Sequence, residues 1–153
     1  AQQNHPEAQF NLATMYYFGD GVSRDLTKAG TWFRNAAQLG HPDAQFNLAL
    51  MYLKGEGGPV NLPASVEWLR KAADQGDPTA QFNLSILYSS GKGIPRDPIQ
   101  AYLWADLAAS AGDANSLKLL ASLRKTTAPD QIAEAQRKKR EWKPDLQYLR
   151  GIQ

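Results

Sequence analysis

A chain of 153 residues that is 42% apolar and 21% charged can bury a sizeable core and is too hydrophobic to be a disordered tail. It contains no cysteine, which excludes a disulfide framework, a thiolate zinc site and a cysteine nucleophile. The formal net charge of +2 is too small to imply a nucleic-acid partner, and no run of 18 apolar residues marks a membrane span.

The first predicted element starts at His5-Pro6-Glu7-Ala8-Gln9-Phe10-Asn11-Leu12-Ala13. A proline in the first turn forfeits no hydrogen bond, because that N–H has no intrahelical partner. Ala8, Leu12, Met15 and Tyr16 follow at helical spacing and read as the core stripe of a helix near 6–18. Gly19-Asp20-Gly21 ends it. Asp25 is a good N-cap acceptor for a second helix near 26–39, which runs through Ala29, Trp32, Ala36 and Ala37 to Gly40. That glycine can take the left-handed conformation that closes a helix.

The same passage then recurs with a period of 36 residues, as His41-Pro42-Asp43-Ala44-Gln45-Phe46-Asn47-Leu48-Ala49 and as Asp77-Pro78-Thr79-Ala80-Gln81-Phe82-Asn83-Leu84-Ser85. Tyr52 and Tyr88, the Gly-x-Gly pairs at 55 and 91, Trp68 and Trp104, the Ala-Ala pairs at 72 and 108, and Gly76 and Gly112 all stay in frame. Helices are therefore predicted near 42–54, 62–75, 78–90 and 98–111. The small residues Ala13, Ala49 and Ser85 allow close helix approach, and the repeated tryptophans are expected between helices, beside the alanine pairs.

The fourth unit departs from the pattern. Asp113-Ala114-Asn115-Ser116 starts it in frame, with Leu117, Leu120, Ala121 and Leu123 as its stripe, but Lys125-Thr126-Thr127-Ala128-Pro129 replaces the glycine turn. A helix from about Pro129 to Trp142 follows, acidic early (Asp130, Glu134) and basic late (Arg137-Lys138-Lys139-Arg140), an order that suits the helix dipole. Lys143-Pro144 stops it. Residues 1–112 carry 8 Lys/Arg against 10 Asp/Glu, a net −2, whereas residues 113–153 carry 9 against 5, a net +4. The basic excess thus lies on a helix expected to cover the stripe of Leu117, Leu120 and Leu123.

A single hairpin of this kind cannot bury its apolar stripe, and stacked neighbours can. The predicted fold is all-α: a right-handed α-solenoid of antiparallel helix pairs in one domain, 1–153. Its repeats lie at about 5–40, 41–76 and 77–112, followed by a degenerate capping repeat at 113–142 and a tail at 143–153. Ala1 is in frame with Ala37. The chain is therefore expected to start within the end of a preceding second helix, with either further repeats before it or an open end.

The motif Ala-x-x-x-Leu-Ala/Ser-x-x-Tyr, followed by Gly-x-Gly, an Asp/Asn cap, Trp, Ala-Ala and Gly, resembles the Sel-one-like repeat, a relative of the tetratricopeptide repeat with a longer turn between its helices. The closing helix from Pro129 to Trp142 also resembles the ending of bacterial members. The resemblance covers essentially residues 1–142. It implies an interaction scaffold rather than an enzyme, with a protein or peptide partner and a bacterial cell-envelope or secreted setting. Departures are Gly58 in place of Val22 and Ile94, Ser65 in place of Ala29 and Ala101, and Gly30 inside a helix.

Other chemistry is weakly signalled. Gly19-Asp20-Gly21 and its copies follow no strand and lack the full glycine fingerprint, so they read as turns and not as phosphate loops. His5 and His41 occupy the slot that holds Asp77 and Asp113 elsewhere, and they read as residues that start helices. One repeat apart, roughly 10 Å by helix spacing, they are not expected to share a metal. No serine sits in a nucleophile elbow and no carboxylate pair stands out, so no catalytic residue, cofactor site or metal site is predicted. Arg137–Arg140 with Trp142 and Lys143 could form a nucleic-acid patch, but one helix-end cluster on a chain of net +2 reads as a solvated cap, and no nucleic-acid partner is expected.

The candidate binding surface is the face of the first helices that turns away from the stripe and would form the concave wall of a solenoid. It comprises Asn11, Asn47 and Asn83, then Thr14, Leu50 and Ile86, then Tyr17 and Leu53, then Phe18 and Lys54. Asparagine offers both a donor and an acceptor to a peptide backbone, and it could equally bond to neighbouring helices within the stack. Positions that vary from repeat to repeat are the better candidates for selectivity, since pure packing positions repeat. The alternative function is assembly, in which the ends of the stack drive self-association, or service as a fragment of a longer cell-envelope or secreted repeat protein.

Overall fold

The computed structural model describes residues 5–150. Ala1, on which the reading of a preceding helix rests, lies outside them. The described residues form α1 (Pro6–Phe18), α2 (Leu26–Gln38), α3 (Pro42–Lys54), α4 (Leu62–Asp74), α5 (Pro78–Ser90), α6 (Pro98–Ser110), α7 (Ala114–Thr126), α8 (Pro129–Glu141) and the short α9 (Gln147–Arg150), with no strand among them. The long helices start and stop within a residue of the boundaries predicted from proline, Asp/Asn and glycine.

Local chemistry explains those boundaries. The carboxylate or amide oxygen of Asp25, Asn61 and Asp97 accepts from the N–H of Lys28, Ala64 and Gln100 at 2.9, 3.0 and 3.0 Å, capping α2, α4 and α6. Asp77 and Asp113 cap α5 and α7, and the His41 imidazole caps α3. His5 takes the extended conformation of an N-cap without a side-chain cap bond. Within each of the first three repeats the turn is closed by one backbone bond to the repeated tyrosine: Asp25 to Tyr16, Asn61 to Tyr52 and Asp97 to Tyr88, at 2.9, 2.9 and 3.0 Å.

The chain divides into two compact units, the first running to Ala72 and including the segment from Leu146 onward, the second spanning Ala73–Asp145. In the first unit α2 packs against α1 and α3. Ala29, Phe33, Ala36 and Ala37 of α2 form one buried cluster with Ala13 of α1 and with Ala44, Leu48 and Met51 of α3. In the second unit α6 is central, packed by α5, α7 and α8, and eight of its thirteen residues are buried.

Two kinds of contact fix the helix spacing. Inside a repeat, the helices meet at a pair of small residues: Ala13 with Ala29, Ala49 with Ser65, Ser85 with Ala101, each fully buried at 0% exposure. Where serine replaces alanine, its hydroxyl donates to the backbone carbonyl of the opposite member, Ser65 to Ala49 at 2.8 Å and Ser85 to Ala101 at 2.6 Å. Between repeats, a buried glutamine of the first helix reaches back to the last turn of the preceding second helix. Gln45 Nε2 donates to the Ala37 carbonyl and Gln81 Nε2 to the Ala73 carbonyl, both at 3.1 Å. The Ala37 and Ala73 carbonyls also accept from the Gly40 and Gly76 N–H at 3.0 and 2.9 Å, so the amide adds a second bond to a carbonyl of the helix's last turn.

Three packing expectations need correction. The tryptophans are not uniformly buried: Trp32 and Trp68 are half-buried, and only Trp104 is closed off, at 3%. The stripe of α2 runs through Ala29, Phe33, Ala36 and Ala37, so Trp32 sits on its flank. Trp68 carries the Lys71 ammonium 4.1 Å from its ring centre, whereas the Trp104 Nε1 donates to Gln100 Oε1 at 3.1 Å on a helix with eight buried residues. The stripe of α1 is open, with Ala8 exposed, Leu12 half-buried and Met15 at 37%, whereas its copies Ala44, Leu48 and Met51 are at 0, 2 and 4%. The copies are buried because the preceding second helix, α2, lies over them; no such helix precedes α1 among the described residues. In α7 the buried stripe is Ser116, Leu120, Leu123 and Thr127. Leu117, about 100° around the helix from Ser116, remains 54% exposed.

Helix α8 covers α6 through Ala135, which is 1% exposed, and through Lys139, whose ammonium bonds Asp106 Oδ1 at 2.7 Å and Ser110 Oγ at 2.6 Å. At the positions where α2, α4 and α6 carry Ala36-Ala37, Ala72-Ala73 and Ala108-Ala109, α8 carries Lys139-Arg140.

Three substitutions test this construction. A methyl on Gly57 would lie 2.5 Å from the Leu26 carbonyl oxygen, at a left-handed φ of 74°, whereas one on Gly58 meets nothing within 4 Å. Gly57→Ala is expected to destabilise by at least about 2 kcal/mol and Gly58→Ala by less than about 0.5 kcal/mol, read from urea midpoints. Gln45→Leu keeps the volume and leaves the Ala37 carbonyl with the Gly40 N–H at 3.0 Å as its remaining partner, so it is expected to lower stability by about 0.5–1.5 kcal/mol in the same measurement.

Candidate functional site

In the first unit, α1 and α3 are tied at both ends. At their N-terminal ends the His41 ring stacks on Phe10, with centroids 4.6 Å apart and planes 15° apart, while its Nε2 lies 3.0 Å from Glu7 Oε2. At their C-terminal ends the Tyr17 hydroxyl donates to Glu56 Oε2 at 2.8 Å. That bond to a carboxylate, reinforced by burial, holds the Tyr17 hydroxyl above the ordinary tyrosine pKa, because ionising it would set two negative charges side by side.

Eight of the residues proposed from sequence lie on these two helices. Asn11 is exposed, Thr14 is half-buried with its hydroxyl donating to the Phe10 carbonyl at 3.0 Å, and Tyr17 is fixed as described. Phe18 is 72% exposed with its ring edge-on to Tyr17, centroids 5.0 Å apart. On α3, Asn47, Leu50 and Leu53 are half-buried and Lys54 is exposed. Asn83 and Ile86 lie on α5 in the second unit, half-buried and 39% exposed respectively.

The asparagines adopt an arrangement that neither sequence reading contained. Asn47 Nδ2 donates to the Asp43 carbonyl and Asn83 Nδ2 to the Thr79 carbonyl, each at 2.8 Å and each one turn back in its own helix. One amide N–H is thereby used locally, and the side-chain carbonyl is the group each has left to offer a partner's N–H.

The basic helix is largely neutralised by its own neighbours. Arg137 bonds Glu134 at 2.6 Å and Glu141 at 2.8 Å, which holds the Glu134 carboxyl below the ordinary carboxylate range. Lys138 lies 3.9 Å from Glu134 and Lys139 is taken by Asp106. Such a surface has little unpaired charge to give to phosphates.

Residues that sequence reasoning passed over form a second cluster in the first unit: Glu7, Phe10, His41 and Tyr148. The Tyr148 ring sits 5.6 Å from the His41 ring, tilted by 55°, and its Cδ2 lies 3.3 Å from where a Cβ on Gly40 would stand. Burial first, then the nearby Glu7 and Asp43 carboxylates, raise the Tyr148 pKa. Tyr148 lies outside the 36-residue frame, so the period gave no signal for it. Glu56 carried one faint signal, as the acidic residue between the glycines of its turn where repeat three has Lys92.

The Sel1 repeat profile matches residues 6–41, 42–77 and 78–113, frames that open on the N1 prolines of α1, α3 and α5. Among solved structures the chain is similar to a Sel1 repeat protein from Oxalobacter formigenes, at 37% identity over 76% of this chain and 48% of that one, with a TM-score of 0.71. It is also similar to c5321, a protective antigen present in uropathogenic Escherichia coli strains and displaying an SLR fold, at 35% identity over 92% of this chain and 30% of that one, with a TM-score of 0.80. The chain therefore spans about half or less of the length of these two proteins. A comparison with curated proteins found no match. Three consecutive matched repeats, each built from the capped helix pair and glycine turn described above, establish that the chain belongs to the Sel1 repeat family.

Proposed function

We propose that the chain is a non-catalytic scaffold that binds an extended segment of a partner protein on the outward face of its first helices. Sel1 repeat proteins are generally protein-interaction scaffolds. The observation that carries the reading further is the contrast between repeating and varying positions. The inward positions repeat as Ala, Leu and Ala/Ser, while the outward ones change from repeat to repeat: Thr14, Leu50, Ile86; Tyr17, Leu53, Ser89; Phe18, Lys54, Ser90. Apolar side chains remain accessible there, with Phe18 at 72% and Ile86 at 39%. Exposed aromatic and aliphatic side chains beside fixed polar groups suit a peptide, because burying them contributes about 25 cal/mol per Å² while an asparagine carbonyl accepts from its backbone. Among the described residues of the first unit, the groups with displaced pKa values lie apart: Tyr17 at the C-terminal end of α1 and Tyr148 near its N-terminal end. That scatter supports a binding role over acid–base chemistry.

A partner captured by affinity purification and identified by mass spectrometry supplies the ligand for the test. Phe18→Glu and Leu50→Glu are each expected to weaken binding at least tenfold, about 1.4 kcal/mol, with Phe18→Glu leaving the melting temperature unchanged because the ring is exposed. Unaltered affinity in both variants would rule out this face.

Tyr17 gives a pH test of the same face. Its pKa is raised in the folded chain, so the stabilisation from its bond to Glu56 is fully present below the unfolded tyrosine value of about 10 and is lost as pH rises through the folded value. Tyr17→Phe is expected to be less stable than the parent by about 1 kcal/mol at neutral pH. The difference should shrink in urea titrations carried above about pH 10.

A further inference from the structure

We propose that Glu7, Phe10, Gly40, His41 and Asp43 form a second recognition site, distinct from the outward helix face, for a peptide that presents a tyrosine ring. The chain's own Tyr148 segment occupies this site in cis. The argument begins with a choice of residue that helix capping does not explain. His41 stands where the next two repeats place Asp77 and Asp113. Aspartate is among the strongest N-caps and histidine is not. The bonds agree, for His41 Nδ1 accepts one N–H, from Ala44 at 3.3 Å, whereas Asp77 accepts two, from Thr79 at 2.8 Å and Ala80 at 3.2 Å, and Asp113 accepts from Ser116 at 2.6 Å. What histidine adds is a flat ring, and the surroundings hold that ring rigidly.

The hydrogen bond from Ala44 makes Nδ1 an acceptor, so Nε2 carries the proton and points it at Glu7 Oε2, 3.0 Å away. Phe10 backs the imidazole by stacking, and the residue is only 4% exposed. Gly40, at a left-handed φ of 92°, ends α2 and presents no side chain, so an incoming ring can lie against its backbone at van der Waals distance. Tyr148 does so.

The bound segment also states what the site selects. Its ring is half-buried, while the flanking Leu146 and Leu149 stay 41% and 57% exposed. The tyrosine therefore supplies the specificity. Glu7 and Asp43 put two carboxylates beside the ring, close enough to act on its hydroxyl. A helix of only four residues, with the leucines on either side of the ring exposed, is short enough for a ligand of the same chemistry to displace its ring.

The test uses the full chain and a fluorescent peptide of its own sequence from Lys143 to Gln153. Tyr148→Ala removes the competing ring in cis, and this variant is expected to bind the peptide at least tenfold more tightly than the parent by fluorescence anisotropy. A peptide carrying alanine in place of its tyrosine should not bind. Adding His41→Asp should abolish binding in a chain that stays folded by circular dichroism at the assay temperature, since aspartate caps the following two repeats while the stacking on Phe10 and the bond to Glu7 are lost. Equal peptide affinity in the parent and Tyr148→Ala would overturn the proposal, as would binding that survives His41→Asp. A fall in melting temperature on Tyr148→Ala with no gain in peptide binding would assign the segment a bracing role. A parent dimer that Tyr148→Ala converts to a monomer by light scattering would assign the site to the tail of a second copy.

Discussion

The close approach of two helices at one pair of small residues is the constraint on which each repeat depends. At 13/29, 49/65 and 85/101 nothing larger than serine is present, and every member is fully buried. A larger side chain would push the axes apart, and the effects would spread. The turn is closed by a single backbone bond from the cap residue to the repeated tyrosine, which fixes how far the second helix can start from the end of the first. Serine is admitted because its hydroxyl finds a carbonyl across the gap. The pairing is made from the second helix in repeat two and from the first helix in repeat three, so the requirement belongs to the contact and not to either helix.

The glutamine at 45 and 81 does for neighbouring repeats what the small pair does within one. It spends a polar side chain in the core, at 5% and 2% exposure, on a carbonyl in the last turn of the preceding helix, where it bonds beside the N–H of the closing glycine. Because spacing is set by these inward groups, the outward positions of the first helices are released from packing duties. The variation at 14/50/86, 17/53/89 and 18/54/90 is the physical counterpart of that release. It is also why the proposed binding surface can differ from one Sel1 protein to another without disturbing the fold.

Much of this was legible in the sequence because the signals are local and repeated. Proline at N1, Asp or Asn at the N-cap and glycine after the last turn fix helix ends by their own backbone chemistry, and the observed ends agree within a residue. Burial was less legible, because it depends on what lies opposite. Met15 and Met51 hold the same position of the repeat, yet one is 37% exposed and the other 4%, since among the described residues only Met51 has a preceding second helix over it. Trp68 and Trp104 likewise hold one position and differ, half-buried against 3% exposed. In the candidate site, the period identified which positions vary. It could not show that Asn47 and Asn83 turn one N–H back into their own helices, nor that Tyr148, which has no copy at any multiple of 36, meets His41. Helix α9 escaped notice because four residues after Lys143-Pro144 carry no periodic signal.

The replacement of the alanine pair by Lys139-Arg140 in α8 gives the array a polarity of growth. An alanine pair admits the next first helix closely, as Ala36 and Ala37 admit Ala44 and Leu48. Two long cations at the same positions hold it off, and one of them is already committed to Asp106. A duplicated 36-residue segment spliced in ahead of Asp113 would meet alanine surfaces like those it left and could be absorbed without redesign. The same segment spliced in after Trp142 would face a charged wall. Gene duplication therefore lengthens this array more readily ahead of Asp113 than directly behind Trp142.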